Sequence, residues 1–312
     1  MTRAITFPGQ GSQYVGMGKT LYDAFPLAKA VFQEVDDALG ESLSTIMFEG
    51  PEDSLKLTHN TQPALMAHSI AVVRVLEEGG VKVSDIASYA AGHSLGEYSA
   101  LAATGAISLS DTAKILRLRG EAMQRAVPVG TGAMAALIGL DFETARDVCE
   151  LASEGEVCSL ANDNTNGQVV VSGKKDVVER AILIAKEKGA KMGVLLPVSA
   201  PFHCALMEPA ALEMEEALVN IIFKEPSIPI IANVIATPVS NPEELKKLLV
   251  EQVTGIVRWR ESVEKMETLG CDTLLEAGSG KVLSGLARRI NRSLVSVPLQ
   301  DPGDIESFIN SL

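Results

Sequence analysis

Between Ala126 and Val198 the chain spells out a β-α-β-β-α-β order that few architectures accommodate. Met134 to Gly139 is an apolar, strand-like run, and Asp141 to Ala152 has helical spacing with Asp141 placed to cap its first turn. Val157 to Ala161 and Gln168 to Ser172 read as two strands, joined through the turn-rich Asn162-Asp163-Asn164-Thr165-Asn166-Gly167 as a hairpin. Asp176 to Lys188 is a second helix and Met192 to Pro197 a last strand.

That order is the split-βαβ pattern of a ferredoxin-like unit, and it interrupts a different rhythm. Leu27, Val31 and Val35 before Gly40, and Leu65, Val72, Val75 and Leu76 before Gly79-Gly80, mark amphipathic helices. Short apolar runs at Ala4 to Phe7, Ile228 to Val234 and Thr273 to Leu275 read as strands. Such alternation predicts an α/β layer fold on a mainly parallel sheet. The expected division is a large domain, 1–125 and 199–312, with a small subdomain, 126–198, set into it. With 312 residues, 46% of them apolar, the chain can build both cores. No repeat or flexible linker is visible, so the insertion is expected to pack against its host.

Charge and cysteine usage exclude several classes. With 27 basic and 40 acidic residues the net charge is −13, which argues against a nucleic-acid partner. The longest uncharged stretches, such as Pro226 to Pro242, are too short and proline-broken to cross a bilayer, and Met1 to Gly11 lacks the features of a signal peptide. Cys149, Cys158, Cys204 and Cys271 are widely spaced, which suits free thiols in a reducing cytoplasm. His59, His68, His93 and His203 form no metal-ligand pattern, so no metal is expected.

Gly92-His93-Ser94-Leu95-Gly96 matches G-x-S-x-G, in which small flanking residues let a serine sit on a strained turn between strand and helix. Ile86 to Ala91 is strand-like and Leu95 to Thr104 rich in helix formers, which supplies that context. The alternative is a turn that merely packs a helix on a sheet. A nucleophile needs a base. His68 sits among Leu65 and Val72 on a helix and reads as a core histidine, and His59, preceding Asn60-Thr61, reads as part of a cap region. His203, in the uncharged loop Pro197 to Met207, reads better as a positioned base. Its neighbour Cys204 reads as packing, although a thiol nucleophile is the other choice. Phe7-Pro8-Gly9-Gln10-Gly11-Ser12-Gln13 leaves a strand through a tight turn that can aim N–H groups at an oxyanion. Gly278-Ser279-Gly280-Lys281 lacks the first glycine of a phosphate loop and is rejected as one. Arg119 by itself reads as a helix-surface arginine.

Five segments in order change that balance: Phe7 to Gln13, Gly92 to Tyr98, Arg117-Leu118-Arg119-Gly120, Ser199-Ala200-Pro201-Phe202-His203, and Gln252 ahead of Val257-Arg258-Trp259. Together they resemble the malonyl-CoA:acyl-carrier-protein transacylases and the acyltransferase domains of fatty-acid and polyketide synthases, over nearly the whole chain. The resemblance implies an α/β-hydrolase-like large domain with an inserted ferredoxin-like subdomain. It implies Ser94 as the acyl-carrying nucleophile, His203 as its base, and the N–H groups of Gln10 and Leu95 as the oxyanion hole. It implies Arg119 as the partner of the malonyl carboxylate and the Gln252 carbonyl as the group that orients His203, leaving a dyad where hydrolases have a triad. Asn162 and Phe202 are expected in the substrate pocket. Gly255-Ile256-Val257 stands where the family commonly has Asn-Pro-Val, and Asp163-Asn164-Thr165-Asn166 varies a loop that commonly reads Asn-Ser-Pro.

The implied reaction is ping-pong transfer of malonyl from malonyl-CoA to the phosphopantetheine thiol of holo-acyl carrier protein, with no bound cofactor. A planar two-pronged arginine suits a carboxylate better than lysine would. Rival readings are an esterase, which wants an acid such as Asp141, Asp147 or Asp163 on the histidine, and a non-catalytic carrier-binding scaffold. The carrier of this family is itself acidic, so docking on a chain of pI near 4.9 calls for local positive charge. Two clusters offer it: Lys186, Lys188 and Lys191 ahead of the His203 loop, and Arg288, Arg289 and Arg292 after the Gly278 turn. The protein is expected to act as a cytoplasmic monomer, with no nucleic-acid or membrane partner.

Overall fold

The computed structural model describes residues 2–312, so Met1, the first residue of the expected large domain, lies outside the described residues. In chain order the strands are β1 Thr2–Phe7, β2 Tyr89–Gly92, β3 Gly132–Ile138, β4 Cys158–Thr165, β5 Gln168–Lys174, β6 Met192–Leu195, β7 Ile230–Ala232, β8 Thr237–Val239, β9 Cys271–Ala277 and β10 Val295–Leu299. They form a six-stranded sheet ordered β10-β9-β1-β2-β7-β8 and a four-stranded sheet ordered β4-β5-β3-β6.

In the larger sheet every pairing is parallel except that of β7 with β8. Parallel neighbours need crossovers, and here helices supply them and cover the sheet, so a central strand such as β1 carries Ala4, Ile5 and Phe7 without exposure. The helix Thr58–Glu78 is buried on nearly all sides against the helices Leu109–Ala126 and Leu95–Ala103. Phe7 is paired with Gly92, so the loops that follow β1 and β2 leave the sheet side by side at its carboxyl edge. Open α/β sheets place their sites at this edge.

The smaller sheet is antiparallel, and the helices Phe142–Ser153 and Lys175–Glu187 pack on it around a separate core that includes Leu137, Val148, Val171 and Val178. Asp141 caps the first of these helices, accepting the Thr144 N–H at 2.7 Å.

Several boundaries differ from the sequence reading. The strand expected at Ile86 to Ala91 begins only at Tyr89, because Val83–Ile86 closes a helical turn first. Leu27 is 43% exposed, so Val31 and Val35 carry that helix's inner face with Ala28 and Phe32. His59 lies inside the first turn of its helix, which Leu57 precedes as N-cap. The turn assigned to 162–167 shrinks to Asn166-Gly167, and β4 runs on to Thr165. Bulges at Leu160/Asn162 and Asp163/Thr165 keep this polar half paired with β5, while Asn162 bridges to Val257 of the larger part. Asp163 there receives Arg260 at 2.8 Å and Asn164 accepts from His93 at 2.9 Å. Partners distant in sequence satisfy side chains that would otherwise favour a turn.

No helix among the described residues is long and apolar enough to cross a membrane, and no group of three or more His, Cys, Asp or Glu residues there is placed to hold a metal ion.

Candidate active site

β2 ends at Gly92, and two residues later Ser94 adopts φ 53°, ψ −107° before the helix Leu95–Ala103 begins. A serine holds that backbone only where its surroundings over-determine it. Here the packing does so: a Cβ on Gly92 would sit 1.9 Å from the Gly96 carbonyl carbon, and one on Gly96 would sit 2.3 Å from the Phe7 oxygen. Glycine at both places lets strand and helix meet this closely, and the turn between them pushes the Ser94 side chain outward.

His203 Nε2 lies 2.8 Å from Ser94 Oγ, and His203 Nδ1 lies 2.8 Å from the carbonyl oxygen of Gln252. A carbonyl only accepts, so Nδ1 carries the ring proton and Nε2 is left to accept from the serine hydroxyl. Burial and the nearby Arg119 charge pull the imidazole down to about 3, against the opposing pull of the Gln252 carbonyl. It is therefore neutral at ordinary pH, the state a base requires. The acids an esterase triad would use are not on this ring: Nδ1 is taken by Gln252, and Asp163 pairs with Arg260.

Arg119 is 1% exposed, which overturns the helix-surface reading of it. Its Nη1 donates to Gln62 Oε1 at 2.8 Å, and its Nη2 donates to Gln252 Oε1 at 2.8 Å and to Ser94 Oγ at 3.1 Å. The guanidinium carbon sits 5.5 Å from the centre of the Tyr98 ring. Its Nε has no partner among the described residues. One cavity is lined by Gln10, Ser94, Leu95, Arg119, Asn162, Phe202 and His203, with Met123, Met134, Leu196 and Val198 as apolar wall. The backbone N–H of Ser94 is occupied by Asn233 Oδ1 at 2.8 Å. Those of Gln10 and Leu95 have no partner among the described residues, and Leu95 opens a helix, where the first N–H groups are unsatisfied by construction.

The cationic clusters do not line this cavity. Lys191 precedes β6, its N–H on the Ile138 carbonyl, while Arg288, Arg289 and Arg292 flank a surface depression and Arg289 reaches Gln168 of β5 at 2.9 Å. Cys204 is buried, with Sγ 3.1 Å from the Pro201 oxygen, and burial pushes its thiol upward, so it packs.

Comparison with known proteins follows the same lines. Residues 5–288 match the family model described as acyl transferase domain. A curated relative, the malonyl CoA-acyl carrier protein transacylase of Bacillus subtilis, is 46% identical over 99% of this chain and 96% of its own. The crystal structure of an acyl-carrier-protein-S-malonyltransferase from Bartonella henselae superposes with TM-score 0.98 at 55% identity, covering 100% of this chain and 99% of that one. The chain belongs to the malonyl-CoA:acyl-carrier-protein transacylases. A further neighbour, a malonyl-transacylase in complex with a type II polyketide acyl-carrier protein, has TM-score 0.97 at 42% identity and full coverage of both chains.

In this transacylase, three polar residues at the site escaped the sequence reading. Gln62 holds the outer nitrogen of Arg119. Asn233 clamps the turn, with Oδ1 on the Ser94 N–H and Nδ2 donating to the Gly92 carbonyl at 2.7 Å. Glu97, 1% exposed, accepts from Gln252 Nε2 at 2.7 Å and from the Asn233 N–H at 3.2 Å, and burial pushes its carboxyl up to about 7. Only Glu97 had a local signal, its place three residues after Ser94.

Proposed function

We propose that Ser94 carries the malonyl group between the two half-reactions of this acyltransferase, and that the observation carrying this reading is the chain of contacts Arg119–Ser94–His203–Gln252 in one buried cavity. His203 Nε2 takes the Ser94 hydroxyl proton as Oγ attacks the thioester carbonyl of malonyl-CoA. The N–H groups of Gln10 and Leu95 receive the oxyanion. Collapse breaks the C–S bond, and the proton on His203 passes to the departing CoA thiolate. The phosphopantetheine thiol of the carrier protein then gives its proton to His203 and attacks the ester, and Ser94 leaves with that proton. Arg119 pairs with the free malonyl carboxylate. Because Arg119 is one of the charges that depress His203, a carboxylate on it strengthens the base, so a dicarboxylic acyl group prepares its own attack.

Asn162 and Phe202 complete the wall around the acyl group, and Phe202 limits its size. The parallel sheet with Ser94 on the turn after β2 supports an α/β-hydrolase-like large domain, 1–125 and 199–312. The β-α-β-β-α-β order on an antiparallel sheet supports a ferredoxin-like subdomain, 126–198. Ser94, His203 and Arg119 come from one chain, which suits a monomer, and four unpaired cysteines suit the cytoplasm. The carrier protein docks against Lys191 on the subdomain and Arg288 and Arg289 on the large domain; its product can feed fatty-acid or polyketide synthesis.

Intact-mass measurement after brief mixing with malonyl-CoA tests the reading. The wild-type chain gains one malonyl group and Ser94→Ala gains none; a full adduct on Ser94→Ala removes Ser94 from the mechanism.

A further inference from the structure

Arg119 is a fully buried cation with no carboxylate in direct contact among the described residues. The residues that touch it through side-chain hydrogen bonds, Gln62, Ser94 and Gln252, are all neutral. A buried charge left wholly uncompensated is expensive, yet an acid pressed directly on the guanidinium would occupy the donors a substrate carboxylate needs. The structure resolves this with one intervening amide. Gln252 Oε1 accepts from Arg119 Nη2 at 2.8 Å, and Gln252 Nε2 donates to Glu97 Oε2 at 2.7 Å. The amide dipole then runs from acid to cation, and its orientation is fixed, since a carboxylate accepts and a guanidinium donates.

We propose that Glu97 is the counter-charge of Arg119, acting through the Gln252 amide to set how tightly the site holds a substrate carboxylate. It is a positioning residue, touching neither substrate nor reacting atoms, and the inference rests on Arg119 receiving the malonyl carboxylate. An anion one amide behind the cation weakens the cation's hold on the malonyl group. That favours release, because an enzyme that must pass its acyl group to a second thiol gains nothing from holding the carboxylate harder in the intermediate than in the transition states that flank it. The same anion also offers two donors their acceptor, Gln252 Nε2 and the Asn233 N–H, so it ties the Arg119 clamp to the Ser94 turn.

Glu97→Gln tests this, because the amide oxygen can still accept both donors while the charge is lost. Single-turnover loading with malonyl-CoA and with acetyl-CoA gives an apparent Kd for each. At pH 8, where Glu97 is mostly ionised, the expected result is malonyl-CoA binding on the order of tenfold tighter in Glu97→Gln, as removing one charge a short distance away implies at an effective dielectric near 20, with acetyl-CoA binding unchanged within about twofold. Unchanged or weaker malonyl-CoA binding overturns the proposal, as does a parallel change for both substrates. A second measurement needs no variant. Burial holds Glu97 near 7, so lowering the pH from 8 to 6 protonates it. Of the other charged or titratable groups around it, Arg119 stays charged, Tyr98 is raised to about 12, His203 is depressed to about 3, and burial lowers His93 too, favouring its neutral form; Gln252 and Asn233 are neutral. The malonyl-CoA Kd should therefore fall over this range relative to that of acetyl-CoA, which carries the same CoA moiety; a constant ratio counts against Glu97. Either failure leaves the assignment of Ser94 intact, since the malonyl adduct on wild type and its loss in Ser94→Ala are read separately.

Discussion

Replacing Arg119 by alanine separates the two things its guanidinium does. For a malonyl substrate the loss is a charge-assisted pair inside a buried site, and removing one partner of such a pair costs about 2–5 kcal/mol. At 1.4 kcal/mol per decade, kcat/KM for malonyl-CoA should fall by roughly 30-fold to a few thousandfold. An acetyl group offers no carboxylate, so it loses only the support Arg119 Nη2 gives to Ser94 Oγ at 3.1 Å. One such hydrogen bond is worth about 0.5–1.5 kcal/mol, or roughly two- to twelvefold. Alanine also strands Gln62 Oε1 and Gln252 Oε1, a cost to folding that both substrates share. The assay is loading of the enzyme from each acyl-CoA, with kcat/KM compared in wild type and Arg119→Ala. The ratio of malonyl to acetyl efficiency should drop by about 60-fold at the middle of these ranges and by about 2.5-fold at their narrowest. An equal loss for both substrates would refute the carboxylate role and leave Arg119 as a support for the turn.

Two further predictions follow from charge. His203 is neutral in the fold, down to about 3, but titrates near 6.5 when unfolded, so its contribution to stability is complete above pH 6.5 and is lost as pH falls below it. The stability of wild type relative to His203→Gln should therefore drop by about 2–3 kcal/mol between pH 7.5 and 4.5 in urea titrations; a pH-independent difference would show that the fold leaves the ring's affinity for a proton unchanged, and a rise toward acid pH that the ring is protonated in the fold. Reversing Lys191 and Arg288 to Glu should slow transfer to holo-carrier protein, most at low salt, and leave loading from malonyl-CoA almost unchanged; indifference to both reversals and to ionic strength places docking elsewhere.

What the sequence made legible was local. Gly92, Ser94 and Gly96 lie within five residues, so the motif carries its own packing argument, and Val31 and Val35 announce the inner face of their helix by spacing, whereas the helix around Val72 is buried on nearly all sides and is not the amphipathic one its spacing suggests. What it concealed depends on partners far along the chain. Asn233 clamps the Ser94 turn from 139 residues away and has no motif of its own. The burial of Arg119 is decided by Gln62, Tyr98 and Gln252, none of which its helix reveals. The stretch Asn162 to Thr165 reads as a turn because Asn and Asp favour turns in isolation, and only Val257, Arg260 and His93 make it a strand.

That same strand decides what can be exchanged between relatives. Val257 N–H bonds the Ala161 carbonyl at 2.9 Å, the Asp163 N–H returns to the Val257 carbonyl at 3.0 Å, and Asn164 holds the ring of His93, just before Ser94. The wall of the cavity beside Ser94 and the turn facing it are thus sewn along a common seam. A chimaera that imports 126–198 from a protein handling bulkier acyl groups has to keep acceptors at 163 and 164 for Arg260 and His93, and a β4 backbone that still meets Val257. Altered selectivity is accordingly easier to reach by single changes at cavity-facing Met134, Leu196 or Val198 than by transplanting the segment whole.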